Sequence, residues 1–136
     1  MHTMKELLYI GAGGFLGTLT RYALQLAIPI GHGGFPWAVL LINAMGSLFL
    51  GWFFTIAVPG KITPQLRLAI GTGFTGAFTT FSTFTLDIVR LSEGGEWVNA
   101  ALYMSVSLLA GLMLCALGMI IGQRMLRAPR QEGDAS

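Results

Sequence analysis

Four long apolar stretches, separated by short turns of glycine, proline and charged residues, occupy almost the whole chain. Each is at least as long as the roughly 20 residues that an α-helix needs to cross the hydrocarbon core of a bilayer. Backbone groups in lipid must be hydrogen-bonded within their own segment, so such stretches are expected to be helices. The predicted fold is therefore an all-α integral membrane protein, with transmembrane helices at about 7–28, 35–58, 66–91 and 97–121.

The composition agrees with a protein that is surrounded by lipid. Of the 136 residues, 54% are hydrophobic and 10% are charged, whereas a soluble domain has about 25% charged residues. Four spans leave no length for a soluble domain with its own active site, so an enzyme is not expected. Residues 1–123 are expected to form one four-helix membrane domain, followed by a polar tail at 124–136. The basic residues are scattered along the chain, which argues against a nucleic-acid partner.

Lysine and arginine are distributed unequally between the two sides of the membrane that four spans define. The side that holds both termini and the second loop carries more of them than the opposite side. Cytoplasmic segments are enriched in lysine and arginine, so this larger group predicts that both termini lie in the cytoplasm. The larger group consists of Lys5, Lys61, Arg67, Arg124, Arg127 and Arg130, and the smaller group of Arg21 and Arg90.

Small residues recur at a spacing of four in the first and last stretches. Gly13 and Gly17 form one such pair, and Gly118 and Gly122 form another. Pairs of this kind let helix backbones approach each other closely in lipid, where no hydrophobic force drives association. They predict tight helix packing or a homodimer. Because four short helices enclose little volume, a pore is easier to build between subunits than within one.

The third stretch differs from the others because residues 71–85 are dense in glycine and threonine. Both residue types are poor helix formers, so the helix is expected to break between Gly76 and Thr80. A break in a membrane helix frees backbone groups that protein, water or an ion must satisfy. Carbonyl oxygens freed in this way suit a hard cation such as Na⁺, and free amides and hydroxyls suit an anion.

Two phenylalanines follow the expected break at a spacing that places them on one helix face. Phe81 and Phe84 are three residues apart, and Ser82 and Thr83 supply hydroxyls beside them. The edge of an aromatic ring is electropositive, so two rings turned edge-on can contact an anion. The residues alone leave open the alternative that both rings face lipid or the protein core.

Polar side chains in the other stretches are further candidates for an ion path. The amide of Asn43, near the middle of the second stretch, is costly in lipid unless it is functional or bonds to a neighbouring helix. Tyr103 and Ser107 are one helical turn apart in the fourth stretch. Arg21 in the first stretch either extends to the membrane interface or marks an ion path.

Three motifs together resemble a known family of membrane proteins. They are G-x-x-G-T-x-x-R-Y at 14–22, N-x-x-G-S at 43–47 and T-G-F-x-G-x-x-T-T-F-S-T-F at 72–84. The chain is similar in these motifs to the small fluoride channels called Fluc or CrcB, and the resemblance extends over all four helices. The motif in the third stretch is highly specific, whereas the glycine pairs are not.

The resemblance implies a function, a location and a subunit arrangement. Members of this family are multi-pass proteins of the bacterial inner membrane that let fluoride leave the cell passively and so lower its cytoplasmic concentration. They are antiparallel homodimers of four-helix subunits, with two pores and a structural Na⁺ that is not transported. Backbone carbonyls at positions that match Gly76 and Thr79 hold the Na⁺. The implied partners are fluoride, the lipid bilayer and a second copy of the chain.

The resemblance also assigns residues to the fluoride path. The paired pore phenylalanines of the family match Phe81 and Phe84, its pore asparagine matches Asn43, and its vestibule arginine matches Arg21. With the neighbouring hydroxyls, the predicted pore residues are Phe81, Phe84, Asn43, Ser82, Thr83, Tyr103 and Ser107.

Two positions depart from the family's pattern. Gly111, one turn beyond Ser107, stands where the family often has another hydroxyl. Val39, one turn before Asn43, likewise offers no hydroxyl. The bias of basic residues to one side is also larger than expected for a protein that inserts both ways, so the antiparallel arrangement rests on the resemblance alone.

Two other classes of small membrane protein remain open. A proton-coupled multidrug or cation exporter has a similar size and four helices, but it needs a membrane-embedded carboxylate, and the span 7–28 contains none. A non-transporting membrane assembly protein would need the glycine pairs but not the run of phenylalanine and threonine.

Overall fold

The computed structural model describes residues 2–28, 34–58 and 60–127, and these ranges contain helices and no β-strand. The all-α prediction is confirmed for them. The helices are α1 (His2–Ala27), α2 (Trp37–Ile56), α3 (Pro64–Arg67), a π-helix (Leu68–Phe74), α4 (Thr75–Phe78), α5 (Phe81–Glu93) and α6 (Trp97–Arg127). Of the predicted tail, Arg124 and Arg127 belong to the last turn of α6, whereas 128–136, including Arg130, lies outside the described residues.

Two of the helices, α2 and α6, are long and apolar enough to cross a membrane. Most apolar side chains of α6 point away from the rest of the subunit, among them Leu109, Leu112 and Met113. Apolar surface of this extent is expected where a protein faces lipid or a second subunit. The predicted spans 7–28 and 66–91 correspond to α1 and to the series from α3 to α5, and their crossing of the membrane stays a prediction.

The first half of the third stretch begins with a short helix that widens into a π-helix. Pro64 begins α3, and the hydroxyl of Thr63 caps the helix by accepting a hydrogen bond from the Leu66 N–H at 3.4 Å. Proline is favourable at this position because the first N–H groups of a helix have no partner within it. Where the π-helix ends, the hydroxyl of Thr75 donates to the carbonyl of Ile70 at 2.9 Å.

Two residues in extended conformation, Thr79 and Thr80, separate α4 from α5. Thr80 also caps α5, because its hydroxyl accepts a hydrogen bond from the Thr83 N–H at 3.1 Å. Threonine is a favourable N-cap since its side chain satisfies one of the donors that the first turn leaves free. The helical hydrogen-bond pattern is therefore interrupted between Phe78 and Phe81.

Glycines allow helix backbones to come close together at two interfaces. α1 packs against the π-helix and α4, and a Cβ on Gly13 or Gly17 would overlap a backbone carbonyl of the π-helix. α2 packs against α6, where a Cβ on Gly118 would overlap a carbonyl of α2 and a Cβ on Gly122 would overlap Thr55. The prediction of tight helix packing at both glycine pairs is confirmed, and the packing lies within the chain itself.

A buried cluster joins α2, α5 and α6 beside the α4–α5 junction. Phe84 packs against this cluster and Tyr103 belongs to it, so the hydrophobic packing fixes the positions of two predicted site residues. The buried members are Val39, Leu40, Leu91, Ala100 and Tyr103, and Phe35, Phe84 and Ile88 pack against them.

Candidate functional site

An open cleft of about 610 Å³ lies between α2, α6 and the junction of α4 with α5. The fold brings predicted site residues from three separate parts of the chain to this one place. Those that line the cleft are Asn43, Gly76, Thr79, Phe81, Phe84 and Ser107.

The side-chain amide of Asn43 bonds to the interrupted backbone at Thr80. Its Nδ2 donates to the Thr80 carbonyl at 3.0 Å, and the Thr80 N–H donates to Oδ1 at 2.8 Å. In an uninterrupted helix that N–H would donate to the carbonyl of Gly76. Thr80 is 4% exposed, and buried backbone groups need partners. Asn43 therefore supplies the acceptor that the Thr80 N–H lacks, adds a donor to the Thr80 carbonyl, and keeps a second N–H for another acceptor.

Gly76 and Thr79, the predicted Na⁺ ligands, lie at the end of α4 beside the cleft. The N–H and the hydroxyl of Thr79 both donate to the Thr75 carbonyl at 3.0 Å. Carbonyls in the last turn of a helix lack helical partners, and no atom lies within 4 Å of where a Cβ on Gly76 would be. The described ranges contain no cluster of three or more His, Cys, Asp or Glu that could hold a metal ion, and the oxygen atoms at this point belong to backbone carbonyls and threonine hydroxyls. Such a donor set fits a hard cation such as Na⁺.

Three aromatic rings follow one another from the cleft into the protein. The ring centroids of Phe81 and Phe84 are 5.9 Å apart at an interplanar angle of 37°, and those of Phe84 and Tyr103 are 5.2 Å apart at 45°. Phe81 is 78% exposed, whereas Tyr103 is fully buried. The prediction that Phe81 and Phe84 share a face of one helix is confirmed. Phe81 makes little contact with the rest of the described chain.

Two hydroxyls one helical turn apart on α6 lack hydrogen-bond partners. The Tyr103 hydroxyl and Ser107 Oγ are both buried, and neither bonds to any atom of the described residues. Ser107 lines the cleft, and Tyr103 lies behind Phe84. An unpaired buried hydroxyl is costly, so both groups are available to a ligand that accepts hydrogen bonds.

A second cleft, of about 450 Å³, is lined partly by Thr83, Asp87 and Arg90. Asp87 Oδ1 lies 3.9 Å from Arg90 Nη1. Thr83 therefore lines a different cleft from Asn43, Phe81, Phe84 and Ser107, and the predicted pore residues Ser82 and Tyr103 line neither cleft. The hydroxyl of Thr80 connects the two regions, because it donates to Thr83 Oγ1 at 2.9 Å and lies 3.3 Å from the hydroxyl of Ser82.

Arg21 lies on α1, away from both clefts. Its side chain is half-buried, and it is absent from the lining of either cleft. Gln25, one turn further along α1, does line the second cleft. The described subunit thus leaves Arg21 separate from the residues with which it is predicted to act.

Two residues of the site are missed by the sequence reasoning. Thr80 caps α5, accepts one hydrogen bond from Asn43 and donates another to it. A threonine just before a helical stretch is a common capping signal, so this role is detectable in the sequence. Ser47 also lines the main cleft, and only its spacing of four from Asn43 hints at this.

Comparison with known proteins gives the same assignment as the motifs. Residues 8–119 match the family described as "CrcB-like protein, Camphor Resistance (CrcB)". A protein of Bacillus cereus named "Fluoride-specific ion channel FluC 1" is 44% identical over 137 aligned positions, which cover 98% of this chain and 95% of that protein.

Relatives from other bacterial groups are almost as similar. The protein named "Fluoride-specific ion channel FluC" of Chlorobaculum tepidum is 39% identical over 121 positions, covering 88% of this chain and 96% of its own length. The protein of the same name from Shewanella amazonensis is 37% identical over 124 positions, covering 90% and 97%. On the extent and the level of these matches, the chain belongs to the CrcB family.

Proposed function

We propose that this protein is a fluoride-specific ion channel of the bacterial inner membrane and not an enzyme. The observation that carries the proposal is the cleft in which Asn43, Phe81, Phe84 and Ser107 meet, in a chain whose relatives are named fluoride-specific ion channels. Fluoride crosses passively and leaves the cell, which lowers its concentration in the cytoplasm.

The groups around the cleft suit a small, strongly hydrated anion. Fluoride enters a narrow pore only if donors replace much of its water, and it leaves only if no single site binds it tightly. The second N–H of Asn43 and the hydroxyl of Ser107 are such donors. The ring edges of Phe81 and Phe84 add weak electropositive contacts. The Tyr103 hydroxyl extends this series of donors past Phe84.

The open side of the cleft supports an assembly of two four-helix subunits. Phe81 is exposed, and the space beside Gly76 is empty within one subunit. A second copy placed against this side covers both residues and closes the cleft into a pore. We therefore propose a multi-pass homodimer, antiparallel as the family resemblance implies, in which Thr79 and Thr80 form the break in the third transmembrane helix.

The carbonyls of Gly76 and Thr79 form the proposed Na⁺ site. The cation, when bound, supplies fixed positive charge near the anion path without being transported. Within this chain, the two hydrogen bonds of Asn43 hold Thr80 so that it does not continue α4. The backbone of Gly76 and Thr79 stays available to a ligand for that reason.

The remaining predicted residues lie further along the proposed path. Thr83 lines the second cleft, so we assign it and Ser82 to the region beyond the main cleft. Arg21 is proposed as the vestibule residue, where a basic side chain on α1 raises the local concentration of anions.

Growth in fluoride tests the proposed function in cells. In a bacterium whose own fluoride exporter has been deleted, expression of this chain is expected to restore growth on fluoride medium. Phe81→Ile, expressed at the same level in the membrane, is the matched control and is expected not to restore growth. Equal growth with the empty vector and with the wild-type chain, when the chain is present in the membrane, would contradict the proposal.

A further inference from the structure

Ser47 places a hydroxyl in the main cleft one helical turn beyond Asn43. Residues four apart on a helix share a face, and Ser47 lines the cleft together with Asn43 and Ser107. The side chain is half-buried. It therefore lies at the edge of the space that the proposed fluoride path occupies.

The hydroxyl of Ser47 is not used by the helix that carries it. Serine and threonine in helices often donate to the carbonyl four residues earlier, and Thr20, Thr55 and Ser92 all do so here. Ser47 makes no side-chain hydrogen bond to the part of the chain that the structure describes. Its donor is free for a ligand in the cleft.

Gly111 lies directly across from this hydroxyl. A Cβ built on Gly111 would be 3.5 Å from Ser47 Oγ, which is an ordinary contact distance. On α6, Ser107 offers a hydroxyl but Gly111, one turn further, has no side chain. At the level of Gly111, the hydroxyl that lines the cleft is that of Ser47 on α2.

We infer that Ser47 is a fluoride-contacting residue, which donates a hydrogen bond to the ion after Ser107 has released it. At this level Gly111 has no side chain, so the line of donors crosses from Ser107 on α6 to Ser47 on α2, which lines the same cleft. This inference rests on the proposed channel function. It adds a contact that the motifs do not assign and explains how the chain conducts without a hydroxyl at position 111.

The test is fluoride efflux from liposomes that contain the purified full-length protein. Ser47→Ala is expected to lower the efflux rate by at least about tenfold, because a donor to a charged acceptor is lost. Ser105→Ala is the matched control, since Ser105 is exposed on another face of α6, and its rate is expected to equal that of the wild type. Ser47→Ala combined with Gly111→Ser returns a hydroxyl to the same level and is expected to recover most of the rate.

The outcomes separate this inference from the channel proposal. No fluoride efflux from the wild type would overturn the proposed function itself. Rapid wild-type efflux with an unchanged rate in Ser47→Ala would overturn only the role of Ser47. The same conclusion would follow if the folded double variant, Ser47→Ala with Gly111→Ser, released fluoride as slowly as Ser47→Ala. If Ser47→Ala is not recovered as folded protein, Gly111→Ser alone replaces it. In Gly111→Ser the new hydroxyl and that of Ser47 are expected to hold the ion longer and so to slow fluoride efflux. An efflux rate equal to that of the wild type would overturn the inference.

Discussion

Asn43 and Thr80 exchange two hydrogen bonds: the side-chain amide gives the Thr80 N–H the acceptor that it would have in a continuous helix, and it adds a donor to the Thr80 carbonyl. The bonds tie α2 to the junction of α4 and α5. The residue proposed to donate to fluoride therefore also holds the backbone that surrounds the cleft. Support of the backbone and contact with the ion are expected to be lost together when this amide is changed.

Asn43→Asp is expected to damage both stability and conduction. A carboxylate cannot donate to the Thr80 carbonyl, so one of the two hydrogen bonds is lost, which costs about 0.5–1.5 kcal/mol. Its negative charge also repels an anion in the cleft. Thermal denaturation in detergent and liposome efflux measure the two effects, with Gln123→Glu, at an exposed amide of α6, as the control. A variant as stable and as active as the wild type would show that Asn43 has neither role.

Phe81→Ile is expected to reduce fluoride efflux to that of protein-free liposomes while the dimer still forms. The reason is that isoleucine has no electropositive ring edge. Phe81 is largely exposed within one subunit, so the subunit fold should not depend on it. Phe15→Ile, at an exposed phenylalanine of α1, is the control and should conduct normally. Wild-type efflux in Phe81→Ile would remove this residue from the pore.

Replacement of Na⁺ by a large organic cation on both sides of the membrane is expected to lower fluoride efflux. The carbonyls of Gly76 and Thr79 fit a small hard cation, and a large cation cannot approach both. Na⁺ should also raise the temperature of thermal denaturation, because a ligand that binds the folded state stabilises it by about 2.7 kcal/mol at 100 times its dissociation constant. Efflux and stability that are indifferent to Na⁺ would rule out this site.

Gly118→Ala is expected to destabilise the subunit by about 1–3 kcal/mol, because the added methyl group overpacks the α2–α6 interface. A Cβ on Gly118 would overlap a backbone carbonyl of α2, and backbone cannot move aside as a side chain can. Gly11→Ala is the matched control, since no atom lies within 4 Å of its Cβ position, and it should be neutral or slightly stabilising. Equal denaturation temperatures for the two variants would contradict the packing described here.

Local spacing predicts the features of this fold that depend on a single helix. A spacing of three places Phe81 and Phe84 together, and their neighbouring rings confirm it. A spacing of four predicts the close approach at Gly13 and Gly17, which is also confirmed. In both cases the helical repeat alone determines which residues share a face.

Contacts between distant parts of the chain are not encoded in that repeat. The partner of Asn43 is 37 residues away, at Thr80, so the sequence leaves open whether the amide bonds to protein or to an ion. Thr83 lines the second cleft whereas Phe84 lines the main one, because successive residues of a helix point about 100° apart. The π-helix also escapes the sequence analysis, because no residue spacing distinguishes its backbone bond, from the Thr75 N–H to the Ile70 carbonyl five residues earlier, from the four-residue bond of an α-helix.

Fluoride and chloride efflux from liposomes, recorded in parallel with ion-selective electrodes and with Na⁺ present, tests the central claim most directly. The purified full-length protein is expected to release fluoride rapidly and to retain chloride, because the larger chloride ion fits poorly among donors spaced for fluoride. Folded dimers that release neither anion, or that release both equally, would contradict the account of this protein as a fluoride-specific channel.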